Sequence, residues 1–141
     1  MFTRTLAAAT LFSLSSFAFA GAADDASAHF KAIGAGNVDQ IMQSYTDSAT
    51  FQWVGGPLDG GYAGTDKIKE VWGKFSKNAP FEVTTSKIEE SSNDKGTTVT
   101  ANVEFKGKAT IKVRYVLVYR GGKLVNEIWQ IDPKLSVTPA Y

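Results

Sequence analysis

The sequence has no cysteine and a single histidine, His29. That excludes a disulfide framework, a thiolate metal site and a lipidated N-terminal cysteine, and it leaves a transition metal without its usual ligands. Neither sign of charge prevails: 15 Lys and Arg stand against 14 Asp and Glu, with no basic stripe or charge run. Nucleic-acid binding and electrostatic docking on a membrane therefore lack their main physical support. Gly55 to Gly60 has the glycine spacing of a phosphate-binding loop, but Gly61-Tyr62 follows where Lys-Ser/Thr is required. No serine sits in a nucleophile elbow. The longest apolar stretch, Leu6 to Phe19, falls short of the ~20 residues of a membrane-spanning helix, so no membrane anchor is expected.

That stretch reads instead as a leader. Met1 to Arg4 make a short basic start, and Ala18-Phe19-Ala20 offers the small-x-small pattern of a signal-peptidase site. Residues 1–20 are thus a signal peptide with cleavage expected after Ala20, and the mature chain, 21–141, is expected to be exported, most simply into a bacterial periplasm. Losing Arg4 leaves 14 basic against 14 acidic residues, a formal charge of zero. The mature length suits one domain with a sizeable core.

Ala22 to Gly34 reads as an amphipathic helix, with Asp24 and Asp25 at its N-terminus and Ala26, Phe30 and Ile33 on one face. His29 lies next to that face. Asn37 can cap a second helix, Val38 to Tyr45. Ala49 to Val54 is a strand that points Phe51 and Trp53 one way; Gly55 to Tyr62 is a loop. Ile68, Val71, Trp72 and Phe75 recur at helical spacing in a third helix that ends at Ser76. Phe81 to Ile88 is a strand, and three more follow between Thr98 and Asp132. Val99, Ala101, Val103 and Phe105 alternate with polar residues; Ile111, Val113, Tyr115, Leu117 and Tyr119 alternate with Lys112, Arg114 and Arg120, though Val116 and Val118 break the polar side. Gly121-Gly122 supplies the positive φ values of a two-residue hairpin, after which Val125, Glu127, Trp129 and Ile131 share a face. Early helices and four late antiparallel strands imply an α+β domain, a curved sheet with helices on one face, which tends to leave a conical cavity.

Four segments carry a family likeness. They are Phe30-Lys31-Ala32-Ile33-Gly34-Ala35-Gly36-Asn37-Val38-Asp39, Tyr45-Thr46-Asp47-Ser48-Ala49-Thr50-Phe51, Gly64-Thr65-Asp66-Lys67-Ile68 and Gly121-Gly122-Lys123-Leu124-Val125. Through them nearly all of the mature chain resembles the nuclear transport factor 2-like superfamily, in its SnoaL-like and ketosteroid isomerase-like branch. The resemblance implies a cone-shaped fold, a curved antiparallel sheet wrapped around N-terminal helices, with dimerisation through the sheet. It also exposes departures. Trp53 stands where a ketosteroid isomerase places its carboxylate base. The tyrosine donor of that family falls on His29, its protonated aspartate on Tyr115 or Val116, and a supporting tyrosine on Trp72. Without the base, double-bond isomerisation by that mechanism is not expected.

Glu127 is the misfit on an apolar face, and a carboxyl pointing into the cup is a candidate general acid or base. A bulge that turns it to solvent, with Leu124 and Ile128 packing instead, is the plainer alternative; a satisfied structural carboxylate is another. If His29 meets it, the two make an acid–base dyad with Glu127 orienting the imidazole. Tyr45, Trp53, Trp72, Tyr115 and Trp129 suit a flat or apolar ligand, or equally a filled core. Arg114 and Asp132 face away as rim or interface residues. Three readings stand: a protein binding a small apolar or aromatic molecule; a cofactor-independent lyase, isomerase or hydrolase using His29 and Glu127; and an interaction module whose pocket its own tryptophans fill. None calls for a metal or cofactor.

Overall fold

A computed structural model describes residues 21–138; the leader read in residues 1–20 lies outside the described residues. Among the described residues nine elements follow one another: α1 (Ala22–Ala35), α2 (Val38–Met42), β1 (Tyr45–Val54), β2 (Gly60–Ala63), α3 (Thr65–Ser76), β3 (Glu82–Asn93), β4 (Gly96–Lys106), β5 (Thr110–Arg120) and β6 (Lys123–Ile131). The strands form one curved, unclosed sheet in the order β2-β1-β6-β5-β4-β3. The helices cover one face of it, burying Phe30 and Ile33 of α1 and Ile68, Val71, Trp72 and Phe75 of α3. Among the described residues no helix is long and apolar enough to cross a membrane.

The strong periodicities hold. Val99, Ala101, Val103 and Phe105 are all buried, as are Val113, Tyr115, Leu117 and Tyr119. Gly121 and Gly122 take φ values of 56° and 77°, the left-handed pair that a tight turn matched to strand twist requires. Asn37 caps α2, its side chain accepting from the Gln40 N–H at 3.2 Å.

Four expectations are corrected. The second helix stops at Met42, and Tyr45 opens β1 instead; so short a helix lacks the length to hold its last turn against strand pairing. Gly60 to Ala63 is not loop but a short edge strand, β2, paired with β1. Its glycines masked it, because sheet pairing overrides their poor strand preference. The third strand continues past Ile88 to Asn93, beyond an irregularity between Ser86 and Glu89 where Lys87 has φ 50°. That bulge breaks the alternation a reader follows. Finally, the sheet is mixed: β1 runs parallel to β6, and every other neighbouring pair is antiparallel. No hairpin links β1 to β6, so no turn signal could report their relative direction.

One close approach fixes α1 on the sheet. Gly34 accepts from the Phe81 N–H at 2.7 Å, and a Cβ built there would lie 2.4 Å from Val83 Cγ2 and 2.9 Å from the Phe81 carbonyl oxygen. Alanine improves helix propensity by up to about 1 kcal/mol, whereas overpacking against a backbone carbonyl costs about 1–3 kcal/mol. Gly34→Ala is therefore expected to destabilise the domain, by about 1–2 kcal/mol in urea unfolding. An unchanged or raised midpoint would show that α1 does not pack this tightly.

Candidate functional site

Glu127 keeps the inner face beside a bulge in β6. Val118 pairs with Asn126, but the next residue of β5, Tyr119, pairs with Leu124, leaving Val125 as the extra residue. Leu124 and Glu127 are both fully buried, and Val125, expected on the inner face, turns outward. Trp129 keeps the inner position, and half-buried Ile131 packs against the core.

Three elements bring partners to that carboxyl group, and a fourth supports one of them. His29 of α1 meets it with Nε2 2.7 Å from Oε2. Tyr115 of β5 donates to the same oxygen at 2.5 Å, and Tyr45 at the start of β1 donates to Oε1. Behind them Trp72 of α3 donates from its indole to the Tyr45 hydroxyl at 2.8 Å. A carboxylate accepts only, and three donors take up most of the about four lone-pair sites on its two oxygens, with the His29 tautomer assigned from this partner. Of the two positions weighed for the family's aspartate, Tyr115 is the one that faces inward; Val116 points to the outer face.

The electrostatics follow from burial. Tyr45 and Tyr115 are held well above the ordinary tyrosine value of 10.0, first by loss of water and then by the Glu127 charge beside them. Both therefore remain donors. The hydroxyl of Tyr119 is raised by the same two causes, with Asp25 adding to them. The side chains of His29 and Glu127 are 0% exposed, closed off from bulk solvent. His29 Nδ1 and the Tyr119 hydroxyl are buried without a partner. Both residues line a cavity of about 240 Å³ between α1, the end of α2 and the β5–β6 turn, with Asp25, Gln43 and Lys123 at its edge.

The expected cone is filled. Trp53 stacks on Trp129 at 4.5 Å, Trp129 stacks on Phe105 at 4.9 Å, and Phe51 stacks on Trp72 at 5.2 Å. Trp72 and Trp129 are 0% exposed and serve as core, while Tyr45 and Tyr115 are held as donors to Glu127. Of the five aromatics expected to bind a ligand, Trp53 is the one that lines the open groove described next. This groove, of about 390 Å³, lies where the β1–β2 loop, the end of α3 and the β4–β5 turn meet. Trp53, Leu58, Phe75, Phe81, Ile111 and Ile131 make its wall. Except for Trp53, these residues escaped the reading of the sequence, since each looks like ordinary core or loop until the turns come together. Arg114 and Asp132 lie 3.8 Å apart on the outer face. Among the described residues no three metal-ligating side chains of His, Asp or Glu converge.

Removing one donor from a buried carboxylate forfeits a charge-assisted hydrogen bond, so Tyr115→Phe is expected to cost about 1.5–3 kcal/mol in urea unfolding at pH 7. A cost near zero would mean that Glu127 does not depend on this donor. The alkaline limb gives a second readout. A tyrosine whose folded value is raised contributes stability that is complete below pH ~10 and lost as pH rises toward the folded value, at up to about 1.4 kcal/mol per pH unit for each group. Stability measured above pH ~10 should fall less steeply in Tyr115→Phe than in the parent; parallel slopes would contradict the placement of Tyr115.

The fold has clear counterparts among solved structures. A putative ketosteroid isomerase from Parabacteroides distasonis superposes with a TM-score of 0.66 at 12% identity, covering 80% of this chain and 89% of its own. A ketosteroid isomerase-like protein from Erwinia carotovora atroseptica gives 0.63 at 18% identity, over 78% and 91%. A protein of ketosteroid isomerase-like fold from Catenulispora acidiphila, whose structure holds trimethylamine, gives 0.57 at 14% identity, over 74% and 82%. At these identities the likeness is one of fold. No curated protein matches the chain in sequence. The SnoaL-like domain family, by contrast, matches residues 26–126. The chain belongs to that family, a SnoaL-like domain on the α+β fold shared by nuclear transport factor 2 and the ketosteroid isomerases.

Proposed function

We propose that the domain binds a small, largely apolar or aromatic molecule in the groove walled by Trp53, Leu58, Phe75, Phe81, Ile111 and Ile131. The observation that carries this reading is the groove itself. At about 390 Å³ it falls within the range of about 300–1,000 Å³ typical of ligand sites, and its wall is aromatic and aliphatic. The fold suggests small-molecule binding or isomerase-like activity, and one structural neighbour holds a small organic molecule. Acid–base catalysis by His29 and Glu127 is the lesser reading, because both side chains are enclosed and the carboxylate's oxygens are taken up by donors. The polar cluster instead braces the floor of the groove: Trp72 connects Tyr45 to Trp53, with ring centroids 5.6 Å apart. On this reading the mature chain acts after export, on the strength of the leader in residues 1–20. It pairs through the outer sheet face, where Val116, Val118 and Ile128 stand half-covered. Mature protein should begin at Gly21 and sediment as a dimer; a start at Met1 or a monomer would overturn the respective part.

Native mass spectrometry of protein purified from its own compartment, followed by calorimetry with 2-naphthylmethanol as a probe, tests the binding site. A retained small molecule, or heat of binding, that is lost in Trp53→Ala is the expected result. Trp53→Ala also removes core packing worth about 3–5 kcal/mol, so Leu58→Asp on the half-exposed loop serves as the folded counterpart and should lose binding as well. A bare chain that gives no heat with the probe would refute the site.

A further inference from the structure

The polar atoms around the groove are unbalanced. Its lining includes Lys74 at the end of α3 and Lys108 in the β4–β5 turn, both exposed, and no acidic residue. The mature chain carries 14 basic and 14 acidic residues once Arg4 is removed, so two lysines without a carboxylate are a local feature and not the average of the surface. The Lys74 ammonium pairs with Glu70, one helical turn back, at 3.7 Å. Both side chains are more than half exposed, and such an i, i+4 pair is weak enough to leave that ammonium available. The Trp53 indole N–H is buried without an acceptor, although its ring lines the groove. Indole N–H groups donate only, as do ammonium groups. Asn78 supplies the one side chain in the lining that can both donate and accept.

We infer that the groove's ligand carries a carboxylate or an equally compact anionic group on its apolar body, with the apolar part against Trp53, Phe75 and Phe81 and the anion toward Lys74 and Lys108. This rests on the groove being the binding site. An apolar wall gives affinity without orientation; donors confined to the rim orient the molecule and reject its cationic analogue, because an ammonium there meets like charge.

Three probes that share one ring system decide it: 2-naphthoate, 2-naphthylmethanol and 2-naphthylmethylammonium, titrated by calorimetry at pH 7 into the mature protein. The expected order is naphthoate tightest, about fivefold ahead of the alcohol, as two exposed charge contacts allow, and the ammonium weakest. In the double variant Lys74→Met, Lys108→Met, which keeps the unbranched stems, naphthoate should bind no better than the alcohol. Raising salt should narrow the gap in the parent and leave the variant's order alone. Equal binding of acid and alcohol by the parent, or a preference for the ammonium, would overturn the anionic ligand while leaving the groove a binding site. A preference for naphthoate that survives the double variant would also overturn it. Failure of all three probes would instead strike at the groove itself.

Discussion

Glu127 sets the terms for the rest of the molecule. Moving a carboxylate out of water into an apolar interior costs several kcal/mol even after relaxation, and a fold tolerates it only if the lost hydration is replaced by fixed donors. Here the replacement comes from three places along the chain, His29 of α1, Tyr45 at the start of β1 and Tyr115 of β5, and Trp72 of α3 holds Tyr45. These elements must be in place together for the charge to be buried at all. A hydrogen-bonded charge is also directional, unlike apolar packing, so the cluster sets orientation and register as well as proximity.

Above this floor the aromatic residues take the space that a more open cup would leave to a ligand. The stacks of Trp53 on Trp129 and of Trp129 on Phe105 carry the core from β1 across β6 to β4. Trp53 is almost wholly buried in this stack, and its indole takes up part of the cup. What remains open lies outside the stack, where a rim of lysines meets an apolar wall. Binding specificity in such a place comes from the rim, because apolar contacts discriminate poorly between molecules of similar shape.

Much of the architecture was legible from local spacing. The alternation of Val99 to Phe105 and of Val113 to Tyr119, the helical spacing of Ile68 to Phe75, and the glycine pair at 121–122 each follow from geometry within a few residues. They depend on no distant partner, so they survive reading one stretch at a time. Glu127 stood out by the same logic, as a charge in an apolar series. The three short-range errors also have local causes: glycines hid β2, a bulge at Lys87 cut β3 short, and a five-residue helix was read through into β1.

What the sequence determined by itself was the set of elements, the inward faces of most of them and the identity of the anomalous residues, because periods of 2 and 3.6 are properties of the local backbone. Tertiary structure alone decided what those residues meet. His29 and Glu127 are 98 positions apart, and Tyr45 and Glu127 are 82 apart; no local rule bears on either distance. It also decided that β1 runs parallel to β6, that the bulge falls at Val125 and leaves Glu127 inside, and that the tryptophans fill the cup. Each of these is a matter of register between strands or of volume between layers. A shift of one residue in register reverses every side chain, and that register is chosen by the packing of the whole domain at once.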